Sequence, residues 1–236
     1  MSAGSAPFVG GDLAPRMRAW GLPLKAQGPR GTCSVFAITA AIEYAVARRN
    51  ACGAPLSEQF LNWAAHQASG EAGDGGFFSD IWAGFQAYGV CAQALAPYSE
   101  TYDPDYRPTT EALRQAAALR GKPFAFHWIK EWDVETGLTD EHVAAVGACL
   151  LAGWPVCAGM RWPREAPWRD GVLRAPDDAD VYDGHSVLVT GIATDSLDAV
   201  GSLWWLKDSA AGGCARAVPV SYARRYVNDL AWVELP

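Results

Sequence analysis

Apolar residues recur at helical spacing through the first half of the chain. After Thr32, the positions Val35, Phe36, Ile42 and Val46 fall near one face of a 3.6-residue period, and Arg48 and Arg49 close the run where cations complement the helix dipole. The pattern predicts a helix capped by Thr32, with Cys33 in its first turn. Ser57 is expected to cap a second helix, SEQFLNWAAHQAS, and Ser79 a third, SDIWAGFQAYG, stopped by Gly89. Thr109 or Thr110 opens another, ending at Gly121. After Lys122-Pro123 the character changes. FAFHWI, PVCAGMRW, HSVLVTGI, LWWLKD and DLAWVEL are short, nearly continuous apolar runs between Gly, Pro and Asp clusters, and read as buried strands. One helix interrupts them near TDEHVAAVGACLLAG, and the Pro- and Asp-rich stretch 163–184 is expected to be a long loop. The fold class is α+β: a mainly helical part, 1–122, followed by a strand-rich part, 123–236, with no internal repeat.

Half of the 236 residues are apolar and 11 are Trp, which is the composition of a folded globular chain. The net charge of −7 comes from 19 basic and 26 acidic residues, scattered and without a basic run, so nucleic acid is not an expected partner. No run reaches the ~20 apolar residues of a membrane span, and MSAGSAPFVGGDLAPRM has neither the basic start nor the apolar block of a secretory signal. A cytoplasmic protein without a membrane partner is expected. The six cysteines, Cys33, Cys52, Cys91, Cys149, Cys157 and Cys214, are too few for a disulfide scaffold and form no C-x-x-C pair. Neither a metal nor a cofactor is expected. Cys149 and Cys157 lie on apolar runs and read as small buried hydrophobes, whereas Cys52 and Cys91 leave a disulfide open. Oligomeric state has no signature in the chain.

One cysteine stands apart by position. In QGPRGTCSVF, Cys33 sits where a loop becomes a helix, against the positive end of the dipole that stabilises a thiolate. A thiolate nucleophile needs a base, a group to orient that base, and donors for a developing oxyanion. His185, 152 residues after Cys33, opens the run HSVLVTGI at a strand start. His66 and His142 fall within predicted helices and His127 between aromatics in a strand, where a structural role is the default. Asp208 ends LWWLKD, 23 residues after His185, and could hold the imidazole in one tautomer. Gln27 could offer its side-chain amide to an oxyanion beside the backbone N–H of Cys33.

These residues and several further segments, in order, resemble the papain-like cysteine peptidases. Gln27 and Cys33 keep that family's spacing between oxyanion-hole glutamine and nucleophile; LSEQFL, DGGF at 74–77, AYGVCAQALAPY, GWPVCAGM, GHSVLVTGI and WWLKDS are similar to family segments along nearly the whole chain. The resemblance implies two lobes, one helical and one an antiparallel β-barrel-like lobe, with the active-site cleft between them. It also implies a Cys33–His185–Asp208 triad with a Gln27 oxyanion hole, acting through an acyl-enzyme on a peptide, protein or small amide substrate. Gly75, Gly76, Phe77, Phe78 and Gly184 take the substrate-binding positions, with an apolar substrate side chain expected against the two phenylalanines.

The departures matter as well. Arg30 stands where the family has a disulfide cysteine, and Ser34 where it has a tryptophan after the nucleophile. Both the lost disulfide and the C-terminal SYARRYVNDLAWVEL, read as strand-turn-strand, resemble cytosolic members of the bleomycin-hydrolase type. Asp208-Ser209-Ala210-Ala211 replaces Asn-Ser-Trp-Gly, so Trp204 or Trp205 is expected to shield the imidazole's hydrogen bond instead. With 32 residues before Cys33, the family's inhibitory propeptide is not expected. An acyltransferase or transpeptidase using the same acyl-enzyme, and a binding protein on a catalytically retired fold, are the alternatives.

Overall fold

A helix that is apolar on every side can only sit in an interior, and α2 (Cys33–Asn50) is buried continuously from Ser34 to Ala45. Around it, the computed structural model describes residues 9–165, 167–174, 178–194, 201–210 and 213–236. Thr32 precedes the helix without capping it through its side chain. Its hydroxyl instead meets that of Tyr98 at 2.7 Å, and because Tyr98 donates to the Gln27 carbonyl at 2.8 Å, Thr32 is the donor. The next helices follow the predicted caps closely. Ser57 accepts from the Phe60 N–H to start α3 (Glu58–Ser69), and Thr109 does the same for α5 (Thr110–Arg120). Between them, α4 (Phe78–Tyr88) begins before Ser79: the Asp80 carboxylate reaches back to the Phe77 N–H at 3.2 Å and supplies the acceptor expected of a serine.

Among the described residues, the remaining chain builds one nine-stranded sheet. Its strands are β1 (Val9–Gly10), β2 (Ala125–Lys130), β3 (Val156–Pro163), β4 (Trp168–Arg169), β5 (Val172–Leu173), β6 (Val181–Thr194), β7 (Ser202–Asp208), β8 (Cys214–Pro219) and β9 (Val227–Glu234). The order is β2-β9-β3-β6-β7-β8-β5-β4, with β1 against β6. Pairing is antiparallel except between β5 and β8. The sheet is open, not barrel-like: β2 and β4 end it without pairing to each other. α6 (Asp140–Leu151), capped by Thr139, lies where one helix was expected among the strands. SYARRY is α7 (Val220–Tyr226), not a strand, because Tyr222, Ala223 and Tyr226 recur at helical spacing and face inward. The loop expected at 163–184 contains β4, β5 and the start of β6, strands too short or too polar to show a period.

One apolar core runs through both parts, joining Ile38, Ile42 and Tyr44 of α2 and Ile81 of α4 to Met160, Leu188, Trp204 and Leu230 of the sheet. The ends of the chain cross over as well. β1 pairs with β6, α1 (Ala14–Ala19) follows it, and Arg49 at the end of α2 donates to the carbonyl of Pro236. Cys33 is thereby the first residue of a helix whose whole length is clamped against the sheet.

Candidate active site

Cys33 opens α2, where the first N–H groups have no intrahelical acceptor. β3 and β6 pair in a register that sets Met160 opposite His185 and Gly159 opposite Ser186, placing the imidazole at the sheet margin facing the helix end. The Cys33 thiol and the His185 ring line the same cleft, near enough for each to shift the other's ionisation. His185 Nε2 meets Asp208 Oδ1 at 2.8 Å, so Nδ1 is the nitrogen left for sulfur. Asp208, at the end of β7, has no exposed side chain; Oδ1 also accepts from the Ala210 N–H at 2.8 Å, and Oδ2 accepts from Arg216 at 3.0 Å.

Each ionisation is displaced by a nameable cause. Burial pushes the Cys33 thiol up, but the His185 hydrogen bond and charge, with donors of Ser186, outweigh it and leave the thiol below its usual range. Burial pulls His185 down, yet Asp208 and Cys33 raise it to about 9. Asp208 is held low against its own burial by His185, the Ala210 N–H and Arg216. The other thiols behave oppositely: burial raises Cys91 and Cys149 to about 11 and Cys157 further still. Cys33, Cys52, Cys91, Cys149 and Cys157 are all free; the side chain of Cys214 lies outside the described residues.

Gln27 is tied to the same constellation. Its backbone N–H donates to the Ser209 carbonyl at 2.9 Å, and its side-chain oxygen accepts from the Ser209 hydroxyl at 2.7 Å. One amide hydrogen of Nε2 goes to the Arg30 carbonyl at 2.8 Å. A cleft of about 220 Å³ opens beside the thiol, lined on the helical side by Gly31, Ser34, Gly76, Phe77 and Phe78 and on the sheet side by Gly159, Met160, Gly184, Ser186 and Asp229. Gly75 is not part of this lining. A Cβ there would lie 2.4 Å from the Gly31 carbonyl, so its glycine, at φ +72°, lets the segment pack against the loop that leads to Cys33.

The other three histidines lie elsewhere. His127 stacks on Trp232 and meets Glu234 at 3.1 Å, His142 accepts from the Thr139 N–H, and both ring nitrogens of His66 are buried without a partner. No cluster among the described residues could hold a metal ion.

Two structural solutions were not visible in the sequence. The aromatic cover on His185 comes from neither Trp204, which is fully buried in the core, nor Trp205, which packs with Val172 on another face. Trp162 of β3 supplies it, edge-on to the imidazole at 4.8 Å. Trp168 packs behind Trp162, and Arg216 lies 4.4 Å over the Trp168 ring while holding Asp208. Arg30, in the disulfide position, makes a noncovalent brace. It bonds Asp74 through Nε and Nη2, Gln59 at 2.7 Å and the Ser99 carbonyl at 2.8 Å, and lies over Tyr98. This fork depends on planar geometry, so Arg30→Lys is expected to lower the free energy of unfolding by about 1.5–3 kcal/mol, read by urea denaturation. An unchanged midpoint would show that the brace contributes nothing.

No family model and no curated protein matches the sequence. Solved structures do match. The chain is similar to xylellain, a cysteine protease from Xylella fastidiosa, with a TM-score of 0.71 at 16% identity, covering 100% of this chain and 95% of that one. The bromelain protease from Ananas comosus, solved with the E64 inhibitor, gives 0.62 at 18% identity over 90% of this chain and 93% of that one. Digestive procathepsin L 3 of Tenebrio molitor larval midgut gives 0.59 at 20% identity, covering 90% of this chain and 66% of that one.

Proposed function

The chain has the fold of the papain-like cysteine proteases, and we propose that on it Cys33, His185 and Asp208 form the working triad of a thiol peptidase. One observation carries this reading: a cysteine at a helix N-terminus, beside an imidazole that a buried carboxylate holds, at the edge of an open cleft. A thiol held below its usual range beside an imidazole raised to about 9 favours thiolate and imidazolium, the reactive pair. The thiolate attacks the substrate carbonyl, and the oxyanion is met by the Cys33 backbone N–H and by the second hydrogen of the Gln27 amide. His185 gives its proton to the departing nitrogen as the C–N bond breaks, leaving a thioester on Cys33. Water then attacks the thioester, His185 takes a proton from it, and the acid leaves with thiolate and imidazolium restored. Asp208 stays ionised throughout and fixes the ring so that Nδ1 faces sulfur.

Alkylation tests the pair directly. With iodoacetamide at pH 6, Cys33 is expected to be carboxamidomethylated first, with Cys91, Cys149 and Cys157 silent, as mass mapping of tryptic peptides would show. Hydrolysis is expected to rise with pH as Cys33 loses its proton, below the usual thiol range, and to fall near pH 9 as His185 loses the proton the leaving amine needs. Alkylation needs only the thiolate and keeps its plateau above that pH. A Cys33 that reacts only in the alkaline range of an ordinary thiol would defeat the proposal in favour of a binding protein on a retired fold.

A further inference from the structure

The mechanism uses every buried ionisable group at the cleft except one. Asp229 lies on β9, and its backbone pairs with Gly159 of β3, which in turn pairs with Ser186, the residue after His185. The residue is 4% exposed, yet it contributes to the wall of the cleft that Cys33 opens onto. Its carboxylate stands over β3. A Cβ built on Gly159 would lie 2.0 Å from Asp229 Oδ1, so the glycine is what leaves that space to the acid.

A carboxylate in such a place needs a counter-charge, since burial without one is costly. The protein does not bring one into contact. Among the described residues no cation lies within ion-pair distance of Asp229. The cation that acts on it is Lys130 on β2, whose ammonium is spent on the carbonyls of Asp133 and Asn228 at 2.8 and 2.5 Å. Burial accordingly raises Asp229 to about 6, with Lys130 and the Gly159 N–H only partly opposing it. The opposite wall is made by Phe77 and Phe78, and Phe77, half exposed, leans edge-on against Trp132 at 5.2 Å. An apolar wall facing a lone buried acid suits a side chain that is aliphatic along its length and cationic at its tip.

Resting on the peptidase reading above, we propose that Asp229 makes this end of the cleft a subsite for a basic substrate residue, lysine or arginine, whose stem packs on Phe77 and Phe78 while its cation pairs with the carboxylate. This replaces the apolar preference that the two phenylalanines suggest when read alone. Phe77 and Phe78 remain in the subsite, but the floor opposite them is charged.

The test is a set of peptidyl aminomethylcoumarin substrates in which either of the two residues before the scissile bond is arginine, citrulline or norleucine. Citrulline keeps the shape of arginine and loses its charge. Arginine at one of the two positions is expected to exceed citrulline in kcat/KM by roughly 10- to 100-fold, the worth of one desolvated charge-assisted pair. The Asp229→Asn variant is expected to bring that ratio near one and to leave the norleucine substrate cleaved at least as well as before. Its iodoacetamide rate at Cys33 should match the wild type, which shows the fold and the reactive pair intact. Cleavage with no discrimination between arginine and citrulline, or a ratio that survives Asp229→Asn, would overturn the subsite while leaving the peptidase standing. Failure to cleave any member of the set would remove the peptidase reading, and this inference with it.

Discussion

Replacing Cys33 by Ser is expected to lower kcat/KM on a peptide amide by a factor on the order of 10⁴ to 10⁶, because the members of a triad act as a unit and the loss of its nucleophile removes the covalent route. The hydroxyl is nearly isosteric with the thiol, and the position is half-buried at a helix start, so thermal stability should scarcely move. What changes is chemistry. A serine at this position would have to surrender a proton held far more tightly than that of the thiol, and the Nδ1 of His185, tuned to carry a proton beside a thiolate, is a poor acceptor for it. His185→Ala should produce a loss of similar size and also abolish the rapid alkylation of Cys33 at pH 6. Asp208→Asn should do less, since an amide can still accept from the ring while the charge that raises His185 is gone. A Cys33→Ser protein that hydrolyses the amide within tenfold of the wild type would place the active site elsewhere in the molecule.

The pieces of this site were legible in the sequence to different degrees, for physical reasons. Cys33 could be placed because the apolar period of α2 begins immediately after it, and Ser57 and Thr109 could be named as caps because their hydroxyls do what such residues do before helices. His185 and Asp208 stand at the borders of long apolar runs, where polar residues are conspicuous. The start of α4 was missed because Phe77, the residue before it, has no capping side chain, and its N–H is met instead by the Asp80 carboxylate three residues on. Trp162 was missed because the resemblance directed attention to the strand before Asp208, while the ring that covers His185 comes from a different strand, brought near only by pairing. Asp229 was equally hidden. DLAWVEL reads as an apolar strand, and nothing in one strand tells which neighbour lacks a side chain opposite its acid. Glu43 gave the one signal that went unused: a charged residue in the middle of a helix apolar on every face must meet something buried.

What Glu43 meets sets the second large effect. Its Oε1 accepts from Lys25 at 2.5 Å and from the Leu56 N–H at 2.7 Å, and its Oε2 lies 4.0 Å from Lys207. Lys25 also reaches Glu58 at 2.8 Å and the Leu56 carbonyl. Two lysines and two glutamates thus form a buried quartet joining the loop before Cys33, helices α2 and α3, and β7. Glu43→Ala is expected to cost about 3–5 kcal/mol, lowering Tm by roughly 6–20 °C, because Lys25 keeps one carboxylate partner, Lys207 is left with only the more distant charge of Glu58, and the Leu56 N–H loses its acceptor. Replacing all four together, Lys25→Met, Glu43→Gln, Glu58→Gln and Lys207→Met, should recover most of that loss, since a buried ion network is expensive chiefly when broken. The pH dependence has a definite sign. Burial, joined by the charge of Glu43, raises Glu58 from its usual 4.5 to about 7 against the pull of Lys25. The folded protein therefore keeps a proton there that the unfolded chain releases, and this group's contribution declines as pH climbs from 4.5 toward 7. Glu58→Gln should flatten that slope in denaturation curves taken across the window; an unchanged slope would assign it to another group. Lys207 immediately precedes Asp208 on β7, and Glu43 lies on the helix that Cys33 begins, so the quartet ties the strand that ends at Asp208 to that helix. If that tie sets where the triad proposed above sits, Glu43→Ala is expected to lower kcat more than it raises KM even in the fraction that remains folded.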